Sequence, residues 1–110
     1  MNASDVLNRL SVFPGDTHIV VADKSNDKNV PCCVRLEGKA IVVDFVDKSI
    51  AALGQANLTP ITMMELYWNI KDLNRPQTEV ILSNYSGEQF DLEGIRTEDE
   101  VICLDIDGVA

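Results

Sequence analysis

At 110 residues, with 45% hydrophobic and 25% charged side chains, the chain has the length of one domain and a globular composition, which excludes disorder of the whole. A chain of this size buries roughly 65% of its unfolded surface, enough for a core without metal or disulfide support. Eighteen acidic against nine basic residues give a formal charge of -9, which repels phosphate backbones and argues against nucleic acid as a partner.

Met1-Asn2-Ala3-Ser4-Asp5 has neither a basic nor an apolar leader region, and no apolar run approaches the roughly 20 residues that cross a bilayer. The expectation is a cytoplasmic protein with no membrane contact. Ala3, Val6, Leu7, Leu10 and Phe13 follow the spacing of one apolar stripe on a helix. Asn2 is a favourable N-cap, Asp5 suits the positive end of the helix dipole, and Pro14-Gly15 stops the helix. Thr17 to Ala22 is β-branched and reads as a strand, closed by the polar loop Asp23 to Asn29. Val30 to Leu36, Glu37-Gly38 and Lys39 to Val46 read as a hairpin. The run from Lys48 to Leu53 reads either as a short helix capped by Gly54 or as an ordered connection.

The same order then returns. Thr62-Met63-Met64-Glu65 is a capping box, and Met63, Leu66, Tyr67, Ile70 and Leu73 form a second stripe. One inserted residue in the following turn shifts the correspondence from 60 to 61 positions, after which Arg35/Arg96, Glu37/Glu98, Ile41/Ile102 and Asp44/Asp105 are identical pairs. Cap, stripe, turn and strand recurring in sequence imply an internal repeat, with one unit at 2–46, the other at 62–107 and a connection at 47–61. A lone unit of this kind cannot bury its apolar face. The expected fold is therefore a single α+β domain, residues 1–110, of two tandem αββ units related by a pseudo-twofold axis. Its sheet is antiparallel or mixed, with the helices on one face.

Candidate chemistry is sparse. His18, facing away from Ile19 and Val21, reads as a partly exposed strand residue. Cys32, Cys33 and Cys103 have no paired spacing and read as reduced, small, buried hydrophobes. Asp105-Ile106-Asp107-Gly108 opens like a calcium loop but lacks the downstream glutamate. No phosphate-binding, nucleophile-elbow or zinc-protease pattern is present, so neither enzyme activity nor a metal or other cofactor is expected.

Two surfaces stand out. Glu98, Asp99, Glu100, Asp105 and Asp107 belong to an acidic C-terminal stretch opposed only by Arg96, either a solvated strand face or a surface for a basic partner. Met64 and Trp68 fall opposite the apolar stripe of the second helix, where the first helix has Ser4 and Asn8. A tryptophan there is either an intermolecular anchor or is covered by Ile50, Leu53 or Leu58 of the connection.

Thr62 to Leu66, Leu73, Thr78 to Ser83, Phe90 and Leu92 to Ile95 resemble small helix-strand-strand proteins of phages and mobile elements, whose function is generally unknown. The resemblance spans roughly 45 residues of capping and core positions and carries across no catalytic residue. The chain departs from it by Asn74-Arg75-Pro76 in place of a Leu-Pro turn and by doubling the unit. The doubling and the acidic, motif-free composition are similar in style to orphan proteins of integron gene cassettes.

The expected function is a non-catalytic binding or assembly module that docks a protein, first of all a second copy in a homo-oligomeric dimer, through Met64 and Trp68. The alternatives are an acidic inhibitor or immunity-type protein engaging a basic partner, and a binder of a small ligand between the two units.

Overall fold

β-Strands must find hydrogen-bonding neighbours on both sides or leave an exposed edge, and among the described residues every strand has two. The computed structural model describes residues 1–22, 29–51 and 60–106. In chain order its elements are α1 (Ala3–Leu10), β1 (Ile19–Ala22), β2 (Asn29–Glu37), β3 (Ala40–Asp47), α2 (Lys48–Ala51), α3 (Met63–Asp72), β4 (Glu79–Ser83), β5 (Gln89–Glu98) and β6 (Val101–Ile106). The six strands close in sequential order into a barrel. Consecutive strands within each half pair antiparallel. The two junctions between the halves, β3 with β4 and β1 with β6, are parallel.

This corrects the expected architecture in two ways. The sheet is mixed, but it closes, so the helices do not lie on one face of an open layer. Each half also contributes three strands after its helix, not the two of an αββ unit, and β2 and β5, at 9 and 10 residues, are the longest of them. Alternating apolar patterns look alike in an open and a closed sheet, since closure changes only which strands meet.

Strand alternation fills the barrel from inside. Ile19 and Val21, Ile41, Val43 and Phe45, Val80 and Leu82, Leu92, and Ile102, Leu104 and Ile106 form one buried cluster. Ala3, Val6 and Leu10 of α1 and Met63, Leu66 and Ile70 of α3 join the same cluster, so both predicted helical stripes face inward. The stripe residues Leu7, Phe13, Tyr67 and Leu73 pack at its margin. Helix α1 is anchored beside the start of β4, where Ala3 N donates to Thr78 O at 2.9 Å and Val80 N to Met1 O at 2.9 Å. The short helix α2 covers a second, outer cluster of Val30, Val46 and Ala51, against which Ile50 and Cys32 pack. Gly54, the candidate cap of that helix, lies outside the described residues.

Both helices begin with a reciprocal capping box. Asn2 Oδ1 accepts from Asp5 N at 2.9 Å, and Thr62 Oγ1 accepts from Glu65 N at 3.2 Å while Glu65 Oε1 accepts from Thr62 N at 3.1 Å. Two of the four orphan amides at each N-terminus are thereby satisfied. The registers of the halves also correspond. Ile41 faces Val80 and Ile102 faces Ile19, and irregularities fall between Pro31 and Cys33 in β2 and between Leu92 and Gly94 in β5, each position 61 residues from its counterpart.

The hairpin turns differ. In the first, Gly38 adopts the left-handed region at φ 58°; in the second, Asp99 and Glu100 both do, at φ 52° and 64°. That conformation costs an L-residue about 1 kcal/mol, least for Asp and Asn and more for Glu. Glu100→Gly is therefore expected to raise stability by about 0.5–1 kcal/mol, read as a higher urea midpoint at unchanged slope. Leu82→Ala, a fully buried barrel position, is expected to cost about 3 kcal/mol in the same titration.

Candidate functional site

The inward side of α3 is used by the core, which leaves its outward side to solvent. Met64 is 53% exposed and Trp68 49% exposed, so the two residues singled out from the sequence stand on the surface together, one helical turn apart. Their positions are fixed from below. The capping box sets where α3 begins, Met64 N donates to Gly15 O at 3.2 Å, and the Met64 side chain leans over Gly15. A Cβ at Gly15 would stand 2.4 Å from Met64 Cε, so the small residue lets the methionine lie against the turn between α1 and β1.

Around this pair the surface is aromatic. Tyr67 and Trp68 meet edge to face at 5.6 Å, and the Lys71 ammonium sits 4.9 Å from the Trp68 ring centroid and 5.5 Å from that of Tyr67, within range of a cation–π attraction. With Ser11 and Phe13 these residues border a shallow hollow of about 250 Å³. Neighbouring Val12 is exposed as well. Of the connection residues that were candidates to cover Trp68, Ile50 packs into the outer cluster under α2; Leu53 and Leu58 lie outside the described residues. The matching positions of α1 are polar: Ser4 is half-buried and Asn8 exposed.

The acidic stretch is organised differently from a free carboxylate patch. Arg96 Nε donates to both oxygens of Asp105, at 3.0 and 2.9 Å, and Arg96 Nη1 donates to Glu98 at 2.6 Å. Asp99 and Glu100 form the turn between β5 and β6, and Asp107 lies outside the described residues. The first hairpin repeats the arrangement: Arg35 Nε donates to Asp44 at 2.9 Å, and its Nη1 also contacts Glu37. Hydrogen bonds donated to Asp44 and Glu37 raise the Arg35 pKa, and those donated to Glu98 and Asp105 raise that of Arg96. Three of the four identities noted in the repeat are thus a surface arginine flanked by two acids, one two residues along its own strand and one across the hairpin. They tie each hairpin in register and do not belong to the core.

The other candidates separate. His18 is exposed just before β1, and its backbone carbonyl accepts from Ile102 N at 2.9 Å. The cysteines do not share one environment: Cys103 is buried, Cys32 half-buried and Cys33 exposed, which corrects the expectation that all three pack inside. The irregularity in β2 turns Cys32 toward the outer cluster, where its thiol lies 3.4 Å from Asp44 O. Cys32 and Cys33 also border a hollow of about 230 Å³ with Asp44, Phe45, Asn84 and Tyr85. Among the described residues no group of three His, Cys, Asp or Glu side chains is placed to hold a metal, and no helix is long and apolar enough to cross a membrane.

Burial, followed by the charges of Asp44 and Cys33, pushes the Cys32 thiol from 9.0 up to about 11. Its neutral form is favoured in the fold, so its contribution to stability is complete below pH 9 and is lost as pH rises from 9.0 toward about 11. At pH 8 a maleimide is expected to modify Cys33 well before Cys32, read by mass spectrometry of the intact and digested chain; equal rates at the two sites would contradict this assignment. The chain matches no protein-family model, no curated protein and no solved structure.

Proposed function

We propose that this chain is a non-catalytic binding module that docks a protein through the outward face of α3, centred on Met64 and Trp68. The observation that carries this reading is a tryptophan left 49% exposed beside Met64, Phe13 and Tyr67, with Val12 of the preceding turn exposed as well, so that apolar side chains gather on this one face. Covering the exposed half of such a ring contributes about 2 kcal/mol, and tryptophan is a frequent anchor of protein interfaces.

The competing readings have less support. A small ligand inside the barrel would meet the core of Ile41, Val43, Leu82, Ile102 and Leu104, which leaves to that reading the surface hollow that Cys32, Cys33 and Asp44 of the first half share with Asn84 and Tyr85 of the second. A basic partner at the C-terminal acids would compete with Arg96, which already engages Glu98 and Asp105.

In the same reading the scaffold is a duplicated αβββ unit, 2–46 and 62–107 joined by 47–61. The shared offset of strand registers, strand irregularities and arginine–carboxylate groups supports it. Function then belongs where the copies differ, at Met64 and Trp68 against Ser4 and Asn8.

Trp68→Glu is expected to leave the circular dichroism and thermal midpoint close to those of the wild type while abolishing association seen by light scattering. A complex whose mass is unchanged by that substitution would rule out the α3 face as the docking surface.

A further inference from the structure

We infer that Cys32 and Cys33 form a two-sulfur site for a soft monovalent metal ion, with monovalent copper as the ion that fits. The site lies on the barrel wall and is independent of the α3 face.

Neighbouring residues of a regular strand point to opposite faces of the sheet, and under that rule the two thiols could not meet one ion. The irregularity in β2 suspends the rule at this step. Residues directly opposite one another on antiparallel strands share a face. Pro31 pairs with Phe45 and Val34 with Val43, and Phe45, Val43 and Val34 all pack in or against the inner core. Val30 pairs with Val46 in the outer cluster, against which Cys32 packs. Cys33 pairs with Asp44, which lies between the inward Val43 and Phe45 and so points outward. Cys32 is the extra residue of the bulge. Both sulfurs therefore emerge on the outer face, and both residues border the hollow of about 230 Å³ beside Asn84 and Tyr85.

Spacing and donor number select the ion. The peptide bond between the two cysteines is trans, which holds their Cα atoms about 3.8 Å apart. Disulfides usually begin at a separation of about 4.4 Å, so a direct sulfur–sulfur bond suits this pair less well than an atom held between the sulfurs. Structural zinc takes four ligands. Among the described residues no group of three His, Cys, Asp or Glu side chains is placed to hold a metal, and the Asp44 carboxylate is engaged by Arg35 at 2.9 and 3.3 Å. Two thiolates alone are a soft donor set, which favours monovalent copper over harder ions. Cys33 is exposed and Cys32 half-buried, so one sulfur receives the ion at the surface and the other holds it against the wall. Both thiols pass their protons to solvent as the two sulfur–copper bonds form, and nothing is oxidised or reduced.

The other half lacks this pair. Its bulge recurs 61 residues on, with Glu93 as the extra residue and Gly94 opposite Asp105. The bulge thus serves the barrel in both halves, whereas the adjacent thiols occur in one and are not required by the strand geometry.

The test titrates the reduced full chain, without oxygen, into the coloured bicinchoninate complex of monovalent copper. The wild type is expected to withdraw one copper per chain, with native mass spectrometry placing it on a single chain and X-ray absorption finding two sulfur neighbours. Cys32→Ser and Cys33→Ser are each expected to abolish that capture while circular dichroism stays unchanged, and Cys103→Ala is expected to leave it intact. No withdrawal by the wild type overturns the site. Capture that survives either serine substitution, is lost in Cys103→Ala, or places one copper between two chains overturns Cys32 and Cys33 as its ligands. Zinc bound as tightly as copper overturns the two-sulfur selectivity and with it the choice of ion.

Discussion

The parallel pairing of β3 with β4 and of β1 with β6 is the constraint from which the rest of the structure follows, because it joins the two halves at both of their edges. Parallel neighbours cannot be joined by a tight turn and require a crossover. Between β3 and β4 that crossover contains α2 and α3. The other junction sets Ile19 beside Ile102, so it closes only when nearly the whole chain has been placed. Once both junctions form, neither half has a free edge, and the apolar stripes of α1 and α3 are drawn into one core with the inward strand residues.

Closure also decides where the surface has freedom. Among the described residues the interior is filled by apolar side chains from the strands and from both long helices, with Val34 of β2 packed at its margin. On each hairpin an arginine binds one acid along its strand and another across it. At exposed sites such pairs add little to stability, but two bonds from one planar guanidinium are selective for the register they fit. Of the acids near the second hairpin, Glu98 and Asp105 are thereby held by Arg96. The outward face of α3 is under neither constraint, and there an apolar, aromatic surface lies open beside a single ammonium.

The two halves divide structural duties from specific ones. Caps, stripes and hairpin charges recur because each half must start its helix, fill half of a shared core and hold its hairpin in register. The differences carry no such obligation. Met64 and Trp68 stand where α1 has the polar Ser4 and Asn8, and they add nothing to the core, since both side chains are exposed. Asp99 and Glu100 replace Gly38 and Lys39 in a turn that disfavours large L-residues. Neither change is explained by folding.

Local signals were legible in the sequence because they depend on neighbours a few residues apart. Asn2 with Asp5 and Thr62 with Glu65 announced both helix starts, and the 3.6-residue spacing of Val6, Leu10, Leu66 and Ile70 gave the buried faces. The opposite side of that same wheel placed Met64 and Trp68 at the surface. Long-range pairing was not legible. The alternation of Ile41, Val43 and Phe45 shows that a strand has an apolar face, but it does not say which strand lies alongside, so an open layer and a barrel were equally compatible with it. The matched arginines and acids showed only as identical positions for the same reason: that Arg35 reaches Asp44 depends on the register of the hairpin. The sequence by itself determined two capped amphipathic helices, alternating strands and a recurring order of elements. It took the tertiary structure to show that the strands close into a barrel and that Glu98 and Asp105 are bound to Arg96, because each of these depends on contacts between segments that local spacing does not report.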